Sequence, residues 1–102
     1  MPAYTLKAYP KDVEAAATPL HDKSSSQGYN HLQESFVIQA SGGDVHLGDS
    51  TVTSTINAFT IPEGKSVNIT GLLSRGTRWS YDLSELYYVG GPFKLVIERK
   101  VE

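Results

Sequence analysis

Apolar residues alternate with polar ones in several short stretches, and this two-residue period predicts strands and no long helix. The clearest stretch spans residues 32–40, where Phe36, Ile38 and Ala40 share one face. Similar alternations occupy residues 45–47, 58–61, 67–69 and 92–100. Gly, Pro, Ser and Asp are concentrated between them, as is typical of turns. The pattern predicts an all-β protein, a single small β-sandwich or jelly-roll-like barrel.

Two breaks in the alternation have distinct turn chemistry. The sequence SGGD at 41–44 tolerates the left-handed backbone of a tight turn, so we expect the strands before and after it to form a hairpin. At 48–50 the sequence GDS ends the next strand before a run of Thr and Ser. We interpret it as a corner at which the side chains of Asp49 and Ser50 satisfy backbone donors.

The first 30 residues have a weaker pattern. Tyr4, Leu6 and Ala8 alternate before Pro10, which predicts an edge strand or an arm. Residues 12–17 have the composition of one helical turn, and residues 21–30 are polar and rich in Ser, which predicts a loop. We therefore expect an N-terminal arm and loop at 1–30 and a β-sandwich core at 31–102.

One short helical turn is predicted inside the core region, at residues 82–86. Asp82 is a candidate N-cap, and Glu85 follows three residues later, as in a capping box. Gly90 and Gly91 then precede the final predicted strand.

Composition and charge narrow the class of partner. The 102 residues include nine Lys and Arg dispersed among eleven Asp and Glu, for a net charge of -2, so neither nucleic acid nor a membrane surface is an expected partner. The absence of cysteine excludes a disulfide framework and fits folding in a reducing cytoplasm. No apolar run approaches the roughly 20 residues that span a bilayer, and the first residues lack the pattern of a signal peptide.

The GDS sequence at 48–50 also matches the nucleophile block of GDSL-type hydrolases. A serine nucleophile needs a histidine held by a carboxylate, and in those hydrolases that histidine lies far downstream. Here His21, His31 and His46 all precede the serine, and their spacing is not that of metal ligands. We therefore predict no enzyme activity, no catalytic residue, no metal and no cofactor.

Aromatic and Arg side chains form the candidate contact surface, because these residue types are enriched at the centres of protein interfaces. Tyr87 and Tyr88 are adjacent, so in an extended segment one ring faces inward and the other outward. Trp79 with the tyrosines could alternatively form a sugar-binding platform. The candidate protein-contact residues are Tyr4, Leu6, Tyr9, Arg75, Arg78, Trp79, Tyr87 and Tyr88.

Four segments, VHLGDSTVTST, FTIPEGKSVNI, YDLSELYYVGG and FKLVIERK, together resemble a family of small virion proteins of tailed bacteriophages. The resemblance covers residues 36–101 and is one of order and spacing. A strand ending in a vGDs-type corner precedes a vTsstG-like stretch, an lpaGes turn and a DLselY segment before the last strand. Residues 56–58 depart from this pattern, because such proteins often carry Gly there.

The resemblance implies a structural role without enzymatic activity. The expected function is that of a capsid cement or decoration protein, which binds the outer capsid surface and bridges subunits of the major capsid protein. Such a protein is made in the host cytoplasm, and self-association as a homotrimer or dimer would multiply weak contacts. The alternatives are a neck, tail or head-fibre component and a carbohydrate-binding adhesion module.

Overall fold

The computed structural model describes residues 4–24, 28–33, 35–70 and 81–100. Within these ranges all regular structure is strand, and no helix is long and apolar enough to cross a membrane. The strands are β1 (Tyr4–Lys11), β2 (Glu14–Pro19), β3 (Leu32–Gln33), β4 (Ser35–Ala40), β5 (Val45–Gly48), β6 (Phe59–Ile61), β7 (Ser66–Thr70), β8 (Tyr81–Asp82), β9 (Tyr87–Gly90) and β10 (Phe93–Lys100).

The strands build two four-stranded antiparallel sheets. The first sheet has the order β1-β10-β4-β7 and the second has the order β2-β9-β5-β6, while β3 and β8 form a separate two-stranded ribbon. The chain passes repeatedly from one sheet to the other, and its first and last strands become neighbours. This is the eight-stranded, double-sheet arrangement of a jelly roll. The predicted all-β sandwich is thereby confirmed.

The core fills the space between the two sheets. The alternations on β4 and β10 place their apolar residues inward as predicted, and Ile38 and Leu95 are both fully buried. Edge-to-face packing of Tyr88 on Phe93, with ring centroids 4.7 Å apart, joins the second sheet to the first. The buried cluster is Leu20, Phe36, Ile38, Ala40, Val45, Leu47, Ile61, Ile69, Leu83, Tyr88, Phe93, Leu95 and Ile97. Full burial of one such aliphatic or aromatic side chain contributes about 1.5–3 kcal/mol.

Four short connections meet at one end of the sandwich, which we call the short-turn end. They are residues 12–13, 41–44, 62–65 and 91–92. Asp44 links two of the others, because its carbonyl oxygen accepts the N–H of Gly91 at 3.0 Å and its carboxylate accepts the N–H of Glu63 at 2.9 Å. The Gly91-Pro92 peptide bond is cis. The connection at residues 49–58 lies at the opposite end, which we call the long-loop end.

The predicted hairpin between β4 and β5 is wrong. These strands lie in different sheets, so the 41–44 turn carries the chain across the sandwich. The crossing is held by the carbonyl oxygen of Pro92, which accepts the N–H of Ser41 at 3.1 Å and the N–H of Gly42 at 3.2 Å. Local turn chemistry is the same for a hairpin and for such a crossing, which is why the sequence pattern did not separate them.

Neither predicted helical turn forms a helix. Residues 14–19 are strand β2 and pair with β9, because ladder pairing outweighs the helix preference of a short Ala-rich segment. At 82–86 the chain makes a turn in which the carbonyl oxygen of Asp82 accepts the N–H of Glu85 at 2.9 Å. The Asp82 carboxylate caps this turn through the N–H of Ser84 at 3.0 Å, and the chain then enters β9.

Each sheet takes one strand from the first 19 residues. All eight residues of β1 pair with β10, from Tyr4 opposite Lys100 to Lys11 opposite Phe93. The strands therefore do not divide at the expected boundary between an arm at 1–30 and a core at 31–102, because β1 and β2 belong to the two sheets. Both β1 and β2 are edge strands, whose partial exposure explains their weak apolar alternation.

Candidate functional site

Among the residues that the structure describes, the predicted contact residues do not converge on one surface. Leu6 is 71% exposed and points outward from the first sheet, whereas Tyr87 is half-buried on β9 in the second sheet. Arg75, Arg78 and Trp79 lie outside the described residues, and of Tyr4 only the backbone is described. Leu6 and Tyr87 thus belong to different sheets of the sandwich.

Tyr88 belongs to the core, as the inward member of the predicted tyrosine pair. Its side chain is 3% exposed, and its hydroxyl donates to the carbonyl oxygen of Asp12 at 3.1 Å. Burial, together with the smaller effect of the nearby carboxylates of Glu14 and Asp12, raises the pKa of Tyr88 to about 12. A ring held in this way is not available to a partner.

Tyr9 also has a structural role, because it attaches Gly28 and Tyr29 to β1. Its ring lies 4.7 Å from that of Tyr29, and its hydroxyl donates to the carbonyl oxygen of Gly28 at 2.9 Å. The ammonium group of Lys11 lies 5.0 Å from the Tyr29 ring centre, a cation–π distance. Burial lowers the pKa of Lys11, and the carboxylate of Asp22 opposes this effect.

His21 is buried next to Tyr29, and both of its ring nitrogens form hydrogen bonds. It is 3% exposed, and its Nδ1 accepts the N–H of Lys23 at 2.6 Å. The proton of the neutral ring therefore lies on Nε2, which donates to the carbonyl oxygen of Tyr29 at 2.7 Å. Throughout the described ranges, no group of three or more His, Asp or Glu residues is placed to hold a metal ion.

The corner at 48–50 has the capping role predicted for Asp49. The Asp49 carboxylate accepts both the backbone N–H of Thr51, at 2.9 Å, and its hydroxyl, at 2.5 Å. These hydrogen bonds lower the pKa of Asp49, the hydroxyl having the larger effect. The nearest histidine in sequence, His46, lies with its Nδ1 2.9 Å from the hydroxyl of Thr60.

An apolar groove of about 350 Å³ opens between β6 and β7, the neighbouring edges of the two sheets. We call it the edge groove. Phe59 lies at its rim and is 39% exposed, because β6 has no further strand beside it. Ile56, in the 49–58 connection of the same long-loop end, is 65% exposed. The lining residues are Phe59, Val67, Asn68, Ile69, Tyr81 and Leu86.

A second apolar surface covers the outer face of the first sheet. The strand register places Ala8, Val96 and Val37 side by side on β1, β10 and β4. Leu6, two residues before Ala8, extends the apolar surface along β1. The contact-surface prediction included Leu6 but missed the two valines. The sequence marks each valine as an apolar residue at an outward position of its strand. Val37 lies between Ser35 and Gln39 on the outward side of β4, and Val96 lies between Lys94 and Glu98 on the outward side of β10.

Comparison with protein-family models, with curated proteins and with solved structures found no match to this chain.

Proposed function

We propose that this protein is a structural component of a tailed-bacteriophage virion, a cement or decoration protein bound to the outer surface of the capsid. The observation that carries the proposal is the ordered resemblance of residues 36–101 to small phage virion proteins. The jelly-roll fold supports it by analogy, because this architecture occurs in viral capsid domains. The same architecture occurs in lectins, so the fold alone does not select the role.

The long-loop end is the surface we assign to the capsid. Ile56 is 65% exposed in the 49–58 connection, and Phe59, at the rim of the edge groove, is 39% exposed. Apolar area removed from water contributes about 25 cal/mol per Å², so insertion of these side chains at a junction between major capsid protein subunits stabilises the junction. Many copies on one particle would together oppose the outward pressure of the packaged genome.

A direct test uses virions of the phage that encodes the protein. Particles lacking the chain are mixed with purified protein, sedimented and imaged by electron microscopy. Added density on the outer capsid surface is expected. Density confined to the neck, tail or head fibres would overturn the cement role in favour of those structural roles.

A pair of matched variants tests the assigned surface. Ile56→Asp places a charge at the long-loop end and is expected to reduce the number of bound copies about tenfold or more, since burying an unpaired charge is costly. Val13→Asp is the control, because Val13 is 63% exposed but lies at the short-turn end. Equal loss in both variants, or in neither, would contradict the assignment.

A carbohydrate-binding module is the second candidate. The edge groove is lined by the aromatic side chains of Phe59 and Tyr81, and such rings can stack on a sugar. A glycan array separates the two functions. Specific glycan binding that is lost in Tyr81→Ala would favour adhesion, whereas capsid binding without any glycan signal favours the cement role.

A further inference from the structure

We propose that the outer face of the first sheet is a homodimer interface, in which two copies stack these faces about a two-fold axis. The inference rests on the strand register and on the charges of this face, and it holds whether or not the protein is a virion component. The capsid surface assigned above, at the long-loop end, is a different surface.

The centre of the face is apolar across three strands. Ala8 lies opposite Val96, and Val96 lies opposite Val37, so the three side chains form a row perpendicular to the strands. Ala8 is exposed and the two valines are half-buried. Asn68 on β7 continues the row, and it lies opposite Val37. Apolar side chains that remain accessible in such a row are a mark of an interaction surface.

Charges of opposite sign border this row along β10. Lys94 lies two residues before Val96 and Glu98 lies two residues after it, and both are exposed. A two-fold axis along the row reverses the strand direction of the second copy. Lys94 of one copy then faces Glu98 of the second copy, and the reverse pair forms symmetrically.

The neutral residues of the face fit the same axis. Pro10 lies opposite Lys94, and Leu6 lies opposite Glu98, so the axis places the Leu6 of each copy over the Pro10 of the other. A two-fold axis along the strands would instead align Lys94 with Lys94 of the second copy, which like-charge repulsion disfavours. The charge pattern therefore selects the antiparallel stack.

The size of the face predicts a weak dimer. Four strands about 4.8 Å apart, each contributing five residues at about 3.4 Å, give a face on the order of 300 Å². A standard stable interface buries about 800 Å² per partner, so this one forms only at high protein concentration. On a particle that carries many copies, the high local concentration of the protein would allow even this weak contact to form.

Sedimentation-velocity measurements from about 10 µM to about 1 mM cover the dissociation constants expected of such a contact. The wild-type chain is expected to pass from monomer to dimer in this range. Lys94→Glu and Glu98→Lys should each weaken dimerisation at least fivefold, since each places like charges opposite one another. An equimolar mixture of the two single variants should form a heterodimer, and the double variant should recover the wild-type affinity.

Lys65→Glu is the matched control. It makes the same charge change at an exposed residue of the 62–65 turn, outside the strands that form the face, and should leave the dimer unchanged. A wild-type chain that is monomeric at 1 mM would overturn the proposal. So would a dimer that survives both single charge reversals, or two single variants that do not associate when mixed.

Discussion

The hydroxyl of Tyr88 donates a hydrogen bond to the carbonyl oxygen of Asp12 across 3.1 Å, which joins β9 to the connection between β1 and β2. That connection carries the chain from β1 in the first sheet to β2 in the second. The bond therefore ties the link between two edge strands to a core residue of β9. The phenol must stay protonated to donate. Stability should therefore depend on pH in the alkaline range.

The first prediction concerns this dependence. The pKa of Tyr88 rises from 10.0 in the unfolded chain to about 12 in the folded protein. A raised pKa means that its contribution is complete below pH 10 and is lost as the pH rises through 12. Burial also raises the pKa of Tyr29, which adds to the same fall.

Tyr88→Phe should remove part of this pH dependence. We expect the free energy of unfolding to fall by about 1 kcal/mol at pH 7, from one lost hydrogen bond, and to fall less steeply than in the wild type between pH 10 and 12. Urea denaturation at a series of pH values measures both quantities. An unchanged alkaline slope in the variant would show that Tyr88 does not carry the effect.

The second prediction concerns His21. His21→Ala removes the partner of two backbone groups, the N–H of Lys23 and the carbonyl oxygen of Tyr29, in a site that is 3% exposed at the histidine. The expected cost is about 2–3 kcal/mol of unfolding free energy. His46→Ala, at a half-buried position on β5, should cost less than about 1 kcal/mol. Equal costs measured by urea denaturation would contradict a structural role specific to His21.

The third prediction compares two glycines with positive φ. Gly90 has φ +100°, and a Cβ there would lie 2.2 Å from the carbonyl oxygen of Asp44. Gly64 has φ +83° with open space around it. Gly64→Ala should therefore cost about 1 kcal/mol, from conformation alone. Gly90→Ala should cost at least about 3 kcal/mol, because the clash adds to the conformational term. Thermal unfolding of both variants tests this order, which similar melting temperatures would refute.

The fourth prediction concerns the 48–50 corner. Since the Thr51 hydroxyl is the main cause of the lowered pKa of Asp49, Thr51→Val should raise that pKa toward its ordinary value while the fold is retained. A carboxyl group whose pKa is lowered by folding contributes stability at pH values above its pKa in the unfolded chain. That contribution is lost as the pH falls through its pKa in the folded protein. NMR titration of the Asp49 carboxyl measures the change.

Ser50→Ala provides the comparison at this corner. Ser50 is exposed, so its removal should change the unfolding free energy by less than about 0.5 kcal/mol. It should also leave capsid binding intact, because we assign no function to this hydroxyl. If a folded Ser50→Ala protein lost its function, the structural interpretation of this corner would be wrong and Ser50 would again be a candidate nucleophile.

The inward faces of the sandwich were predictable because their signal is local. Phe36, Ile38 and Ala40 repeat every second residue, and the structure buries all three. The crossing at 41–44 was not predictable, since turn residues do not record which sheet receives the next strand. Strand β2 was missed for a related reason, because three alanines at 15–17 fit a helix as well as an edge strand.

The contact surfaces depend on neighbours that are distant in sequence. The inward position of one of the adjacent tyrosines, Tyr87 and Tyr88, followed from the strand period alone. The row containing Val37 and Val96 required the pairing of β4 with β10, which strand periodicity does not specify. Each valine alone is an ordinary surface residue, and together they form the centre of a face.

The position of β10 has a consequence for biosynthesis. This strand is the last in chain order, yet it lies between β1 and β4 in the first sheet. Until residues 93–100 have left the ribosome, β1 lacks its hydrogen-bonding neighbour and the sheet has a gap at its centre. The sandwich therefore closes only after translation has passed its final strand, and a nascent chain arrested before that point should be sensitive to protease.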